Sequence, residues 1–430
     1  MEKESNLLAQ PGGKPAPDSP RTSGSIPRTV WVLGFVSLLM DVSSEMIHAV
    51  LPLFMVQVLA ADMMTVGFTE GAAEGIALAT KVFSGYIADR FGRKKLLVLL
   101  GYGLGVATKP VFAIADAMST VFAARMLDRI GKGLRGAPRD ALVAEATPPE
   151  MLGAAYGLRQ SLDAAGAFAG PLIAAFLLWQ LTEDAFKTIF WLAFIPGLLC
   201  IALILLGVKE SGEKSAAKRA PLHLKPLLAR VFSDPSTKPF RTLLLFALLV
   251  SFARFSTAFI ALRASDAGLA NAWIPLVLAG MNLVFSLSSY PLARLCDRTN
   301  PKALLVAGLI ILALSQTALA CAGSTLLLLA GIALWGLHLG AMQGVFSAMV
   351  ARTSAPEWRA SAFGLFNLVS GAGMLAAGAL AGMLWDLSGP AATFGFGAAA
   401  ALPAAPLLEF FGARLPRSNT PSKKRPGRRP

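Results

Sequence analysis

Acidic and basic residues occur in this sequence at helical spacings within stretches that are otherwise apolar. Asp41, Glu45 and His48 stand four and three residues apart, so a helix would carry all three on one face. Arg125, Asp128, Arg129, Lys132 and Arg135 follow one another on successive turns of a second stretch. Glu70 and Glu74 are one turn apart in a third, and Arg159 and Asp163 in a fourth. Two carboxylates one turn apart at low dielectric titrate as a coupled pair, and cations at the same height compete with protons for them. The chemistry implied is binding and release of a proton, with Asp41 and Glu45 as carriers, Arg125 and Arg129 as opposing cations and Asp163 as a further acid.

These groups need elements that hold them away from water. The chain is 55% hydrophobic and only 15% charged, against about 45–50% and 25% in soluble domains, so lipid is its solvent. A span of about 30 Å needs roughly 20 residues. Twelve such stretches are expected near 29–59, 65–88, 96–117, 119–145, 151–179, 186–207, 240–263, 271–294, 303–322, 325–351, 359–385 and 391–412. The fold class is therefore an all-α membrane protein. At 1.5 Å per residue, Asp41 lies about 16 Å and Glu45 about 22 Å into the first helix, while Arg125 and Arg129 lie about 9 and 15 Å from the opposite face. Asp41 is thus expected to level with Arg129, and Glu45 with Arg125. Glu70 and Glu74 fall nearer that opposite face, where solvation at a cavity mouth is an equal alternative.

The net charge of +14 raises the question of nucleic acid, but its placement answers against it. Lys and Arg collect in the tails and in alternate loops, as they do on the cytoplasmic side of membrane proteins. With the amino end cytoplasmic, that side carries Arg90, Arg93, Lys94, Lys95, a Lys-rich linker at 209–239 and a basic tail at 413–430 that touches anionic lipid. The opposite loops carry Asp62, Asp116, Glu183, Asp184, Asp266 and Asp386 against Lys187 and Arg263. Residues 1–28 read as a disordered cytoplasmic tail, rich in Pro and Gly, rather than a signal peptide. Cys200, Cys296 and Cys321 have no metal-ligand spacing and read as packing residues.

The chain repeats itself. Pro149-Glu150 through Gln160 is echoed by Pro356-Glu357 through Asn367 at a shift of 207, and Asp89-Arg90 by Asp297-Arg298 at a shift of 208. Two six-helix bundles, at 29–208 and 240–412, are therefore parallel repeats, an architecture that binds its cargo between the halves near the midplane. Gly85-Tyr-Ile-Ala-Asp89-Arg90-Phe-Gly92-Arg93-Lys94 follows the second span. Gly166, Gly170 and Pro171 lie in the fifth, where small residues four apart allow close helix packing and the Gly-Pro pair allows a bend.

The Gly85–Lys94 run resembles the signature motif of the major facilitator superfamily at every defining position, and Gly166–Pro171 resembles an element of its proton-driven exporters. The resemblance implies the twelve-helix fold. It also implies a gate in which Asp89, which its own helix dipole disfavours, meets the start of the eleventh helix. Shifted by 207, the charges of the fourth span become Ile332, Trp335, Gly336 and Leu339. Coupling is thus expected in the amino half, and Arg254, Asn282, His338, Gln343 and Asn367 become the substrate-facing candidates of the other half, with His48 and Arg159 opposite. His338 and Met342 are too few for a metal site. No phosphate loop, dinucleotide fingerprint or hydrolase motif occurs, so no cofactor, metal or enzymatic activity is expected and an ion gradient must supply energy. The function expected is proton-coupled export of small organic molecules by alternating access, by a monomer in a bacterial plasma or inner membrane with both termini cytoplasmic. The alternatives are proton-coupled uptake of a nutrient or chelated metal, and a non-transporting receptor or scaffold.

Overall fold

The computed structural model describes residues 26–91, 93–148, 151–181, 184–208, 229, 231–298, 301–354 and 358–401. Of residues 85, 86, 88–91, 153, 290, 293, 294, 296–298, 301, 302, 343, 344, 347, 348, 351, 359 and 360 it describes the backbone alone. Among these residues the structure is helical, without strands. The helices are α1 (Arg28–His48), α2 (Leu51–Gln57), α3 (Met63–Phe91), α4 (Lys94–Ala113), α5 (Met118–Ala146), α6 (Leu152–Gln180), α7 (Ala185–Gly207), α8 (Lys238–Ala253), α9 (Ala258–Asp266), α10 (Ile274–Arg298), α11 (Pro301–Ala320), α12 (Thr325–Thr353) and α13 (Arg359–Ala401).

Nine segments among the described residues are long and apolar enough to cross a membrane. Two of them are broken. α1 and α2 form one span interrupted at Ala49 and Val50, and α8 and α9 another interrupted at Arg254–Thr257. α3 and α5 have the length, but their charged and polar residues make them less apolar than these nine. α13 is two spans: Gly389 has φ 81°, a left-handed conformation that suits glycine, and Pro390 follows it. Beyond that point the chain doubles back, because the Thr393 hydroxyl donates to Ala381 O at 3.1 Å. In a continuous helix, residues twelve apart would lie about 18 Å from each other. Twelve spans result among the described residues, the last of them described as far as Ala401, and the last two meet at Gly389 rather than in a loop of several residues. The two breaks occupy matching places in the repeat, since shifting Ala49 and Val50 by 207 gives Ser256 and Thr257.

The halves meet most closely along α3 and α13. A Cβ added to Gly71 would lie 2.8 Å from Met374 O, and one added to Gly75 would lie 3.1 Å from Gly371 O. Helices approach this closely in lipid only where small residues let backbones touch. Every described hydrogen bond between the halves lies at the end remote from Arg28, here called the far end. Gln57 and Asn271 exchange amide hydrogen bonds of 3.1 and 2.8 Å. The Met63 and Met64 N–H groups donate to the Asp386 carboxylate at 3.0 and 2.8 Å. Asp386 thus caps α3 from the other half. Asp62 caps it locally: hydrogen bonds from the Thr65 hydroxyl and N–H, the latter 2.7 Å, hold its carboxyl below the usual range. Both caps favour the ionised acid, so the local one is complete at neutral pH and is lost as pH falls through the lowered pKa.

Arg263 departs from its expected place in a loop. It is buried in α9 and donates to Leu319 O at 2.9 Å and Ala322 O at 3.1 Å, closing the end of α11. Of the cysteines, Cys200 is buried as expected, Cys321 is exposed, and the side chain of Cys296 lies outside the described residues.

Losing an acidic N-cap costs about 0.5–2 kcal/mol. Asp386→Ala is therefore expected to raise the population open at the far end, seen as faster maleimide labelling of a Leu375→Cys reporter on the α3–α13 seam. An unchanged labelling rate would show that the seam closes without this clasp.

Candidate functional site

α5 carries the densest charge, and its packing explains where each charge points. Each residue turns the helix by about 100°. Gly131 presses α5 onto α4, since an added Cβ would lie 2.6 Å from Gly101 O. Gly133 presses it onto α3, where a Cβ would lie 2.6 Å from Thr80 Cβ. Leu127, 43% exposed, marks the lipid side. Lys132 is exposed on the side opposite Leu127, between the α3 and α4 flanks. That side therefore borders a water-accessible cavity. Gly136, one turn further, has nothing within 4 Å of an added Cβ.

On the α3 flank the arginines find acids. Arg125 Nε and Nη2 donate to the two Glu70 carboxylate oxygens at 2.9 and 2.7 Å, and both residues are buried. Arg129 Nη1 lies 3.3 Å from Glu74 Oε1, whose side chain keeps 33% exposure to the cavity. The first pair is bidentate and sealed; the second is looser and wet. On the α4 flank, Lys109 is fully buried and donates to Asp128 Oδ1 at 3.0 Å and to Ser44 Oγ at 3.3 Å. Asp128 Oδ2 also lies 3.4 Å from His48 Nε2. Arg135 lies over the Tyr102 ring at 4.6 Å, a cation–π contact.

These partners correct the expected pairs. Arg129 meets Glu74 rather than Asp41, and Arg125 meets Glu70 rather than Glu45. Depth along a helix gives height and no azimuth. α5 lies along α3 and α4, whereas α1 packs mainly on α6 and α7. Glu70 is not solvated at a cavity mouth, because Arg125 covers it; Glu74 is open to water.

α1 is held against α6 at the carboxylate turns themselves. A Cβ on Gly166 would lie 3.0 Å from Asp41 Cβ, and one on Gly170 2.9 Å from Glu45 Cβ. Pro171 follows within α6, which runs unbroken to Gln180. Glu45 Oε1 is 3.4 Å from His48 Nδ1, and Arg129 Nη2 is 3.5 Å from both ring nitrogens. His48 therefore links Glu45, Asp128 and Arg129. Asp41 has no hydrogen bond or ion pair among the described residues. Its charged neighbours are Asp163 on α6, Arg135 and Lys132 on α5 and Glu45 on its own helix.

Nearer the amino terminus, Arg159 donates to Asp163 at 2.6 Å and approaches Asp140 at 3.8 Å. Arg139 donates to Ser37 at 2.8 Å and reaches Asp163 at 3.9 Å. Arg159 and Asp163, expected as a substrate contact and a proton site, thus belong to one four-charge network. Of the gate motif, the side chains of Gly85, Asp89 and Arg90, and all of Gly92, lie outside the described residues. Arg93 stands at the N-cap position of α4 without a side-chain capping bond, and Lys94 pairs with Glu145 at the end of α5.

In the other half, Arg254 is half-buried at the α8–α9 break, and its side chain has no hydrogen bond or ion pair among the described residues. The break is supported by Gln316 Nε2, which donates to Ala253 O at 2.6 Å. Asn282 and Asn367 are half-buried, and the side chain of Gln343 lies outside the described residues. His338 does not face the cavity. It is fully buried between α12 and α11, with Nδ1 2.8 Å from Gly308 O, and Met342 packs on the same glycine. Lys109 and the pairing role of Glu70 escaped the sequence reading. Lys109 was detectable as the lone mid-span charge in α4, by the rule that such a charge has a partner.

The profile of the Major Facilitator Superfamily matches residues 33–270 and 243–430, once for each half. The chain belongs to the major facilitator superfamily. It is a multi-pass membrane transporter with that family's all-α fold. It is 30% identical to the uncharacterized MFS-type transporter MJ1317 of Methanocaldococcus jannaschii over 390 residues, 89% of this chain and 94% of that one. Over 171 residues it is 32% identical to the multidrug resistance protein MdtH of Proteus mirabilis, 39% of this chain and 40% of that protein. Among solved structures, a variant of the nucleoside transporter NupG superposes with a TM-score of 0.77 at 14% identity, over 89% of this chain and 99% of that one. At that identity the likeness concerns the fold.

Glu70→Gln leaves Arg125 charged and dry, and removing one partner of a buried pair costs about 3–5 kcal/mol. It is expected to destabilise the protein by that amount in detergent unfolding curves, and Glu74→Gln by far less, because water reaches Arg129. Equal losses would show the two pairs to be equally sealed.

Proposed function

We propose that this major facilitator exports small organic molecules in exchange for protons, by alternating access around the cavity between its halves. The observation that carries the proton assignment is Asp41. A carboxylate at mid-depth that no cation holds is free to bind and release a proton, and water in the cavity reaches it. Glu45, linked through His48 to Arg129, relays the protonation state to the Arg129–Glu74 pair. The partial likeness to a multidrug resistance protein and the Gly166–Pro171 element support export. The far-end hydrogen bonds close one side, and the exposed Lys132 and open Gly136 and Gly157 lie toward the other, an arrangement that suits one state of the cycle.

The loop charges orient the chain with the amino-terminal side in the cytoplasm. Reporter fusions after Lys95, Lys218 and Pro430 are expected to report the cytoplasm, and fusions near Asp62 and Asp386 the exterior; two reversed reporters would overturn this map. The protein acts as a monomer in a bacterial plasma or inner membrane, with protons, lipid and substrate as its partners.

Asp41→Asn with Glu45→Gln removes the proton carriers and keeps the cavity. Transport driven by a pH gradient in proteoliposomes is expected to be lost while substrate exchange without a gradient persists. If this double variant still expels substrate under a pH gradient alone, the proton site lies elsewhere, with Asp163 or Glu74 next in line.

A further inference from the structure

Most described charges of the cavity wall are matched to one another: Arg125 to Glu70, Arg129 to Glu74, Lys109 to Asp128, Arg159 to Asp163. Arg135 rests on the Tyr102 ring. Lys132, which is exposed, and Arg254 and Asp41, which are half-buried, have no side-chain hydrogen bond or ion pair among the described residues. They occupy different walls. Lys132 stands on α5 between the α3 and α4 flanks, and Arg254 belongs to the other half at the α8–α9 break. Glu74 lies within electrostatic reach of both cations. Asp41 is on α1, toward the amino-terminal side of Glu45. An unmatched charge at this depth is costly, and the same walls show that matching is available to this fold. The three free groups therefore form a complementary surface of two cations and one anion, facing one cavity.

We propose that the transported substrate is a zwitterion, its anionic group held between Lys132 and Arg254 and its cationic group received by Asp41. The two-wall grip makes Arg254 a specificity-determining residue, because it is the carboxyl-half contribution to the site. The broken helix gives it this position: the unwound residues 254–257 bring backbone and side chain to the midplane, at the place that matches the α1–α2 break. Glu74 is an internal competitor for the anionic group, drawn to the same cations. At Asp41 the substrate's cation and the proton share one carboxylate, and mutual exclusion there is what exchange requires. The inference rests on the reading of this cavity as the transport path.

Equilibrium binding to the purified protein in detergent, with no gradient, tests it separately from coupling and direction. The probes are a panel of aliphatic and aromatic amino acids, each with its methyl ester, which keeps only the cation, and its N-acetyl derivative, which keeps only the anion. At least one free amino acid is expected to raise the unfolding temperature, with its two derivatives binding at least about tenfold more weakly, as expected for loss of a charge-assisted contact. Arg254→Gln should reduce the amino acid to the affinity of its ester, and Arg254→Lys should restore part of the difference. Asp41→Asn should reduce it to that of the N-acetyl form, so the gradient-free exchange kept by the Asp41→Asn, Glu45→Gln variant should require substrate raised by the same factor. Glu74→Gln should tighten binding, a gain that a merely structural role would not produce. Stabilisation by no amino acid of the panel, equal binding of a derivative, or a zwitterion preference that survives Arg254→Gln would overturn the proposal. A double variant of Asp41 and Glu45 that still pumps would instead remove the proton assignment and leave the Lys132–Arg254 arm standing.

Discussion

A charge within hydrocarbon must meet an opposite charge, a dipole or water, and the amino-terminal half is arranged around that demand. Its α5 alone carries Arg125, Asp128, Arg129, Lys132 and Arg135. Glycines on both flanks bring α3 and α4 close enough for Glu70, Glu74 and Lys109 to answer them. Buried ion pairs add little net stability compared with apolar packing. Their number here is therefore better understood as the machinery of a polar cavity than as reinforcement. The contrast between the sealed Arg125–Glu70 pair and the water-exposed Arg129–Glu74 pair separates a fixed strut from a contact able to exchange partners.

The two halves share a fold and differ in their charged residues. The carboxyl half replaces the α5 charges with Ile332, Trp335, Gly336 and Leu339, and Trp335 joins Phe255, Phe259 and Phe394 in an aromatic cluster beside the α8–α9 break. That cluster, with Gln316 on the Ala253 carbonyl, makes the unwound segment stiff. Rigid packing on one side and exchangeable ion pairs on the other suit a device in which one half rocks against the other. The glycine seam of α3 and α13 provides a surface on which backbones, rather than interlocking side chains, make the contact, so sliding meets few steric barriers.

What the sequence determined by itself was set by solvent and periodicity. Apolar length and loop charge specify the membrane spans, and the 207-residue echo specifies two similar halves, because both are properties of the chain read in one dimension. The Gly166 and Gly170 spacing announced a close helix contact. Tertiary structure decided the partners. Height along a helix follows from residue number, but the wall a side chain faces depends on which helix lies beside it, and so Glu70 and Glu74, rather than Glu45 and Asp41, came to hold the arginines. His338 reads as a cavity residue from its polarity and is enclosed between α11 and α12. The helix break at Arg254 has no proline or glycine to announce it, whereas Pro52, in the first turn of α2, marks the break at Ala49 and Val50. The break at Arg254 is supported by Gln316, whose amide donates to the freed Ala253 carbonyl. That Asp41, Lys132 and Arg254 have no side-chain partner among the described residues is a property of the assembled structure alone.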